Sequence, residues 1–312
     1  MDAAAPVTSR RPNRVDLHTH SRRSDGVLEP TDLYSRMTRY GMRVVALSDH
    51  DTLAGYRELR AAGLGERPSP DGPQLIPAVE INTLAGAVLG RHGMGRDGEE
   101  LHILGFGIDP DDEIFEARLS RQREGRRIRL DATVECLRRH GAPIDDQLPG
   151  ILAAVGPTGH DALGRPHIAR ALMSAGHADS VDDAFARWID HGRPCYVPRE
   201  GLGPRDAIEA IRAAGGLPVL AHSPAAPDRP EVIAELMEWG LAGLEVHYRT
   251  FLPATVARMR TFAAERGLLA TGGSDYHGDT MDYAEAQAET WVPGDAAERL
   301  LEAISSIPAG AR

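Results

Sequence analysis

A short apolar stretch, Val15–Leu17, ends in His18-Thr19-His20, and a carboxylate follows at Asp25. Residues i and i+2 of a strand face the same side, so both imidazoles can meet one metal ion. Imidazole with carboxylate suits Zn, Mn or Fe, and the turn after His20 can fold Asp25 back towards a neighbouring ion. The same residue types recur at or just past the end of later apolar runs, as His50, Glu80, His222, His247, Asp275 and His277, with His102 inside another run. Without His247, the candidate ligands are His18, His20, Asp25, His50, Glu80, His102, His222, Asp275 and His277. One ion takes about four protein ligands in such sites, so this set implies two or three divalent ions. Glu80 and Asp275 suit the bridging positions, because a carboxylate offers two oxygens and an imidazole nitrogen one lone pair.

Clustered divalent ions make hydroxide available near neutral pH and can neutralise developing charge on a substrate's oxygens, which suits metal-assisted hydrolysis. The nucleophile is then a hydroxide at ions held by Glu80, with His222, His247 or a metal-bound water as candidate proton donors to the leaving oxygen. Neither Cys136 nor Cys195 lies in a motif, so no thiol nucleophile is expected. All 35 basic residues are Arg, which excludes a Lys nucleophile, a Schiff base or a carbamylated-lysine bridge.

The elements that must position these groups alternate. Helical spacing over Glu29–Gly41 is followed by a continuous apolar strand, Arg43–Ser48, ending at His50. Continuous apolarity marks a strand buried on both faces, as in parallel sheets. A helix over Ala54–Ala62 precedes the strand Gln74–Val79, which ends at Glu80, and the fourth strand is Leu101–Gly107. After residue 200 come helix Arg205–Ala214, strand Leu217–Ala221, helix Glu231–Trp239, strand Ala242–Val246, helix Thr255–Arg266 and strand Leu268–Gly273. Seven strands with polar ends fit the rim of an α/β fold, a (β/α) barrel. An open doubly wound sheet would gather such ends only at a switch point.

Residues 115–199 break the rhythm. Ile114–His140 reads as one long Arg-rich helix, Ala162–Gly176 and Asp179–Gly192 as two shorter ones, with a strand pattern only at Pro194–Pro198. The expected organisation is a barrel from residues 1–114 and 200–312 with a helical cap, 115–199, inserted between strands four and five.

Composition excludes several classes. A net charge of −11 gives no global attraction for nucleic acid. No apolar run of about 18 residues is present, so no membrane span is expected. The start, Met1–Arg14, lacks an apolar signal core and reads as a frayed cytoplasmic N-terminus. Two isolated cysteines read as free thiols in a reducing compartment.

His18-Thr19-His20 with Asp25-Gly26, Ser48-Asp49-His50-Asp51, Glu80-Ile81, His102-Ile103-Leu104-Gly105, Ala221-His222 and Gly273-Ser274-Asp275-Tyr276-His277 resemble the motifs of the PHP (polymerase and histidinol phosphatase) superfamily. The resemblance implies a distorted seven-stranded TIM-like barrel and a trinuclear metal site. It implies His18, His20, Glu80 and Asp275 on one ion, Glu80, His102 and His222 on a second, and Asp25, His50 and His277 on a third. Gly164–Leu172 and Gly192–Pro198 resemble the cap of the nucleotide phosphoesterase branch, whose members hydrolyse nucleoside 3′,5′-bisphosphates or trim short 5′-phosphorylated RNA.

A second substrate phosphate needs its own cationic contacts, and Arg165, His167 and Arg193 are candidates because guanidinium recognises phosphate bidentately. The run Arg121, Arg123, Arg126, Arg127 and Arg129 reads as a solvated face pairing with Glu124 and Asp131. Aromatic residues at 5% give little basis for a stacking platform, so the expected partner is a small nucleotide or short oligonucleotide, without an extended nucleic-acid groove. The alternatives are a 5′–3′ exoribonuclease, a histidinol-phosphate phosphatase, a metal amidohydrolase, and a non-catalytic PHP interaction module.

Overall fold

The computed structural model describes residues 14–66, 72–94, 99–151, 153, 164–198 and 201–307. The expected N-terminal tail up to residue 13 and the first two residues of the helix expected from Ala162 lie outside them. Seven strands form one sheet in sequence order: β1 (Val15–Asp16), β2 (Val44–Leu47), β3 (Gln74–Leu84), β4 (Glu100–Phe106), β5 (Leu217–Leu220), β6 (Gly243–Tyr248) and β7 (Leu269–Gly273). Helices Pro30–Tyr40, Ala54–Ala61, Pro204–Ala213, Pro230–Glu238 and Pro253–Glu265 connect or cover them. Four of these five open on a proline, where the missing N–H has no intrahelical partner to lose.

The sheet curls into a distorted TIM-like barrel. Its two edges meet where Leu17 N–H donates to Gly272 O at 3.1 Å, Asp275 N–H to His18 O at 2.8 Å and His20 N–H to Tyr276 O at 2.9 Å. That seam depends on Gly273: a Cβ there would lie 2.4 Å from the backbone nitrogen and Cβ of His18. Buried Asp16 ties the seam from below, accepting from Ser274 N–H at 2.8 Å, Ser274 Oγ at 2.7 Å and Tyr283 OH at 3.0 Å.

One strand departs from the expected alternation. β4 is antiparallel to both β3 and β5, whereas the other neighbouring pairs are parallel. Its amino end therefore reaches the rim to which the other strands bring their carboxyl ends, which explains why His102 stands near the start of its strand. β3 also runs on past Glu80 to Leu84, because its second half pairs with β4 from Glu80↔Leu104 to Leu84↔Glu100.

Between β4 and β5 lie the helix Glu113–Arg139, the helix Arg165–Ser174, and a short turn of helix, Val181–Ala184, that continues as the π-turn Phe185–Ile189. Asp112 starts the long helix by accepting from Ile114 N–H and Phe115 N–H at 2.8 and 2.9 Å. These helices enclose an apolar cluster of their own, including Leu137, Ile144, Ile168, Leu172 and Ile189. Pro194–Pro198 forms no strand, since two of its five residues lack a ladder donor.

The free-thiol reading is overturned. Cys136, on the long helix, and Cys195 are joined in a disulfide across a sequence separation of 59 residues. Both belong to the insertion's apolar cluster, so the chain's return from Phe185–Ile189 brings the second sulfur back onto the first helix. The disulfide removes the support that free thiols gave to a reducing compartment. No helix among the described residues is long and apolar enough to cross a membrane.

Candidate metal centre

The strand-end groups converge on Glu80, which is 1% exposed. Its Oε2 lies 3.2 Å from each of His18 Nε2, His20 Nε2 and His50 Nδ1, and its Oε1 lies 2.8 Å from His102 Nδ1 and 3.0 Å from His222 Nε2. Five imidazoles from four strands and their loops thus face the two oxygens of one carboxylate. Asp275 Oδ1 closes the other side of the first pair, 3.2 Å from His18 Nε2 and 3.1 Å from His20 Nε2. Asp25 sits 3.2 Å from His277 Nε2, 3.6 Å from His50 Nε2 and 3.7 Å from His20 Nδ1.

These contacts sort into three groups that could each hold a cation: His18, His20, Glu80 and Asp275; Glu80, His102 and His222; and His20, Asp25, His50 and His277. The donor set is nitrogen and oxygen only, which fits Mn, Zn or Fe. His50 Nδ1 is buried without a hydrogen-bond partner, as a nitrogen with a lone pair for a metal would be.

Charge in the cluster is strongly coupled. Burial alone would raise the pKa values of Asp25, Glu80 and Asp275, but the imidazoles beside them outweigh it and hold all three well below the usual carboxylate range. In return, the carboxylates overcome the burial of His18, His102 and His277. His18 is raised well above its ordinary value, His102 to about 9 by Glu80 and Glu100, and His277 to about 10 by Asp25 and Asp275. His50 goes the other way, to about 3, because burial prevails with help from His20 and Arg126. Excess negative charge shared among closely set lone pairs is an environment in which cations replace protons.

No protein-family model matches the chain. It is 30% identical over 294 residues to a 5′-3′ exoribonuclease of Haemophilus influenzae, an alignment covering 89% of this chain and 98% of that protein. It is 30% identical over 276 residues to a 3′,5′-nucleoside bisphosphate phosphatase of Chromobacterium violaceum, covering 84% and 87%. A Bifidobacterium adolescentis crystal structure, described as that of a metal-dependent phosphoesterase, superposes with a TM-score of 0.75 at 28% identity, over 97% of this chain and 100% of that one.

The chain belongs to the PHP metal-dependent phosphoesterases.

All nine expected ligand residues of this PHP barrel come together. His247 does not join them. A bulge in β6 shifts the register between Glu245 and His247, and the imidazole packs edge-on against Trp291, 6.3 Å between centroids, in a separate groove with Arg260 and Arg299. Of the expected phosphate contacts, Arg165 lies 3.5 Å from Glu100, which itself lies 3.8 Å from His102. His167 is buried at the first turn of the helix Arg165–Ser174, and Arg193 is exposed on the loop before Cys195.

Residues not singled out from the sequence support the centre. Glu245, fully buried, faces His18 Nδ1 at 3.0 Å with one oxygen and accepts from His222 N–H at 2.8 Å with the other. The first contact leaves His18 Nε2 facing the cluster; the second secures His222, whose φ of 22° is strained for a residue with a Cβ. Tyr248 OH donates to Asp275 Oδ2 at 2.8 Å. Asp49 accepts from Ser21 N–H, Ser21 Oγ and Ser24 Oγ, each at 2.7 Å, and so shapes the turn that presents Asp25. A carboxylate within the apolar run Gly243–Tyr248 was the available signal for Glu245; Tyr248 carries none that sequence alone isolates, and Asp49 stood in the run Ser48–Asp51 without a role of its own.

The arginine run is only partly a solvated face. Arg127 pairs with Glu124 at 2.6 Å and reaches Asp131 at 3.8 Å. Arg126 and Arg129 instead turn inward, 3% and 7% exposed, towards Asp51 at 2.6 Å and Glu100 at 3.6 Å. With Gln122 they form one helical face, spaced by four and three residues, that lies on the barrel rim.

Proposed function

We propose that this enzyme removes the 3′-phosphate from nucleoside 3′,5′-bisphosphates, using two or three divalent ions drawn from Mn, Zn and Fe. The observation that carries the reading is Glu80, a buried carboxylate whose two oxygens face five imidazoles. In this reading Glu80 with His18, His20 and Asp275 would hold one ion, Glu80 with His102 and His222 a second, and Asp25, His50 and His277 a third. When bound, the ions supply hydroxide near neutral pH and offset the charge of the phosphoryl oxygens.

The chain's own groups hold and orient. Glu245 fixes the ring of His18, Tyr248 fixes Asp275, and Asp49 fixes the turn of Asp25. His222 serves as a ligand in this reading, which leaves its Nε2 no proton to donate, and His247 takes no part, because its ring lies in another groove. Arg165, His167 and Arg193 are the candidate contacts for a second phosphate. The Chromobacterium relative is named for this substrate class.

A second reading, a 5′–3′ exoribonuclease on short 5′-phosphorylated RNA, is favoured by the name of the Haemophilus relative, nearly all of which aligns with this chain. The test is phosphate release from adenosine 3′,5′-bisphosphate and mononucleotide release from a short 5′-phosphorylated RNA, each with added Mn. Wild type should act and His18→Ala should be at least a hundredfold slower. Equal rates for the two proteins would remove the proposal.

A further inference from the structure

Outside the barrel centre, one further group of metal-ligating side chains gathers among the described residues: Cys136, His140 and Cys195. Cys136 and His140 stand one turn apart at the end of the long helix Glu113–Arg139, so both face the same side. Cys195 reaches them from the loop after Phe185–Ile189, held there by its N–H donating to Trp188 O at 2.9 Å. His140 Nδ1 lies 3.5 Å from Cys136 Sγ and 3.6 Å from Cys195 Sγ.

Those spacings match a coordination shell. Zn–S bonds of about 2.3 Å and Zn–N bonds of about 2.0 Å, set at a tetrahedral angle, put nitrogen and sulfur about 3.5 Å apart. The imidazole already stands where a tetrahedral ion needs it, and only the two sulfurs must part, to about 3.8 Å. The ring can turn a lone pair to the ion without orphaning its present partner. Nδ1 faces Cys136 O at 2.9 Å, but that carbonyl also accepts His140 N–H at 3.1 Å and keeps this donor when the ring proton moves to Nε2. The cysteines are buried, whereas His140 is exposed and opens the group to solvent on one side. Two thiolates and an imidazole with an open fourth position are a softer donor set than the nitrogen and oxygen set of the barrel, and one that selects zinc.

We propose that Cys136, Cys195 and His140 form a zinc site that replaces the disulfide when the pair is reduced. A dithiol reductant gives up two electrons and two protons, closing into its own disulfide, and the Cys136–Cys195 bond opens to two thiols. Zinc binds as both thiols release their protons, with His140 Nδ1 as third ligand and water as fourth. Either form ties the end of the long helix to the chain 59 residues on, so the insertion stays closed in oxidising and reducing surroundings alike. The site shares no residue with the barrel centre and does not depend on the reaction performed there.

Cobalt is the probe, because thiolate-to-cobalt charge transfer absorbs in the near ultraviolet and the barrel's nitrogen and oxygen ligands give no such band. The full chain is reduced with a phosphine, which adds no thiolate of its own; its thiols are counted, and Co²⁺ then Zn²⁺ are titrated in. Reduced wild type should show the band, zinc should abolish it, and the oxidised protein should show none. His140→Ala alters an exposed residue and leaves both cysteines in place; reduced, it should bind cobalt at the thiols at least tenfold more weakly. Zinc should also raise the melting temperature of reduced wild type more than that of reduced His140→Ala, whose barrel ligands are the same. A pair that resists reduction in the folded protein, a reduced wild type without the band, or a His140→Ala protein that binds cobalt as tightly as wild type overturns the site.

Discussion

Replacing Glu245 by Gln tests how the centre is held, with almost no change in shape. In the wild type one oxygen of Glu245 accepts from His222 N–H at 2.8 Å and the other faces His18 Nδ1 at 3.0 Å. A proton on His18 Nδ1 leaves the Nε2 lone pair directed between Glu80 and Asp275, 3.2 Å from each. A glutamine has one oxygen for these two duties. If it serves His222, the amide NH₂ faces His18 Nδ1, the ring takes the other tautomer, and Nε2–H points where the cation belongs. If it serves His18, NH₂ meets His222 N–H, donor against donor, at a backbone already strained at φ 22°. Loss of an orienting partner behind a metal-bound histidine costs about 10–100-fold in metal affinity, or about 1.4–2.7 kcal/mol. Competition of Mn or Zn against a chelating dye measures it, with the melting profile reporting the fold. An affinity within about twofold of wild type in a folded Glu245→Gln protein would refute the reasoning.

Four further outcomes are expected. His102 and His277, with pKa values of about 9 and 10, are protonated at pH 7 and must lose those protons to ligate; Mn titrations in buffers of different ionisation enthalpy should show about two protons released or more, and none released would contradict the site. Gly273→Ala places a Cβ 2.4 Å from the His18 backbone, so urea unfolding should show a loss of about 3 kcal/mol, and an unshifted midpoint would count against the seam. Cys136→Ser opens a loop closed over 59 residues and should cost about 2–4 kcal/mol; equal stability of wild type with and without reductant would deny the disulfide that role. His247 is buried neutral with a pKa of about 4, so the unfolded chain takes up its proton first as pH falls below about 6.5, and native stability drops; at pH 5 that is about 2 kcal/mol at most, and His247→Leu should show a flatter stability profile between pH 6.5 and 4.5.

What could be read in advance was set by residue type and short-range period. His18 and His20, two apart on a strand, had to share a face, and His50, Glu80, His222, Asp275 and His277 announced themselves as polar residues at or just past the edge of an apolar run. Direction was hidden. The apolar pattern of Glu100–Phe106 is the same whichever way the strand runs, so its antiparallel course and the early position of His102 appear only in the sheet. Regular alternation would put Glu245 and His247 on one face; the bulge between them sends the first to His18 and the second to Trp291. In the long helix, the run of charges reads as exposed from sequence, yet Arg126 and Arg129 face inward, towards Asp51 and Glu100.

The sequence by itself therefore determined which groups this protein owns for its chemistry: a nitrogen and oxygen donor set, no lysine, and strands that deliver the donors to one end of a barrel. Those are local properties, carried by side-chain chemistry and by the two-residue period of a strand. Only the tertiary structure decided which groups meet: Glu245 with His18, Arg126 with Asp51, Cys136 with Cys195. Such pairings join residues 59 to 227 positions apart, and no local period connects them. They arise when the barrel closes and the inserted helices settle on its rim, where an unpaired buried charge or donor costs free energy and its partner is chosen by position rather than by neighbourhood in the chain.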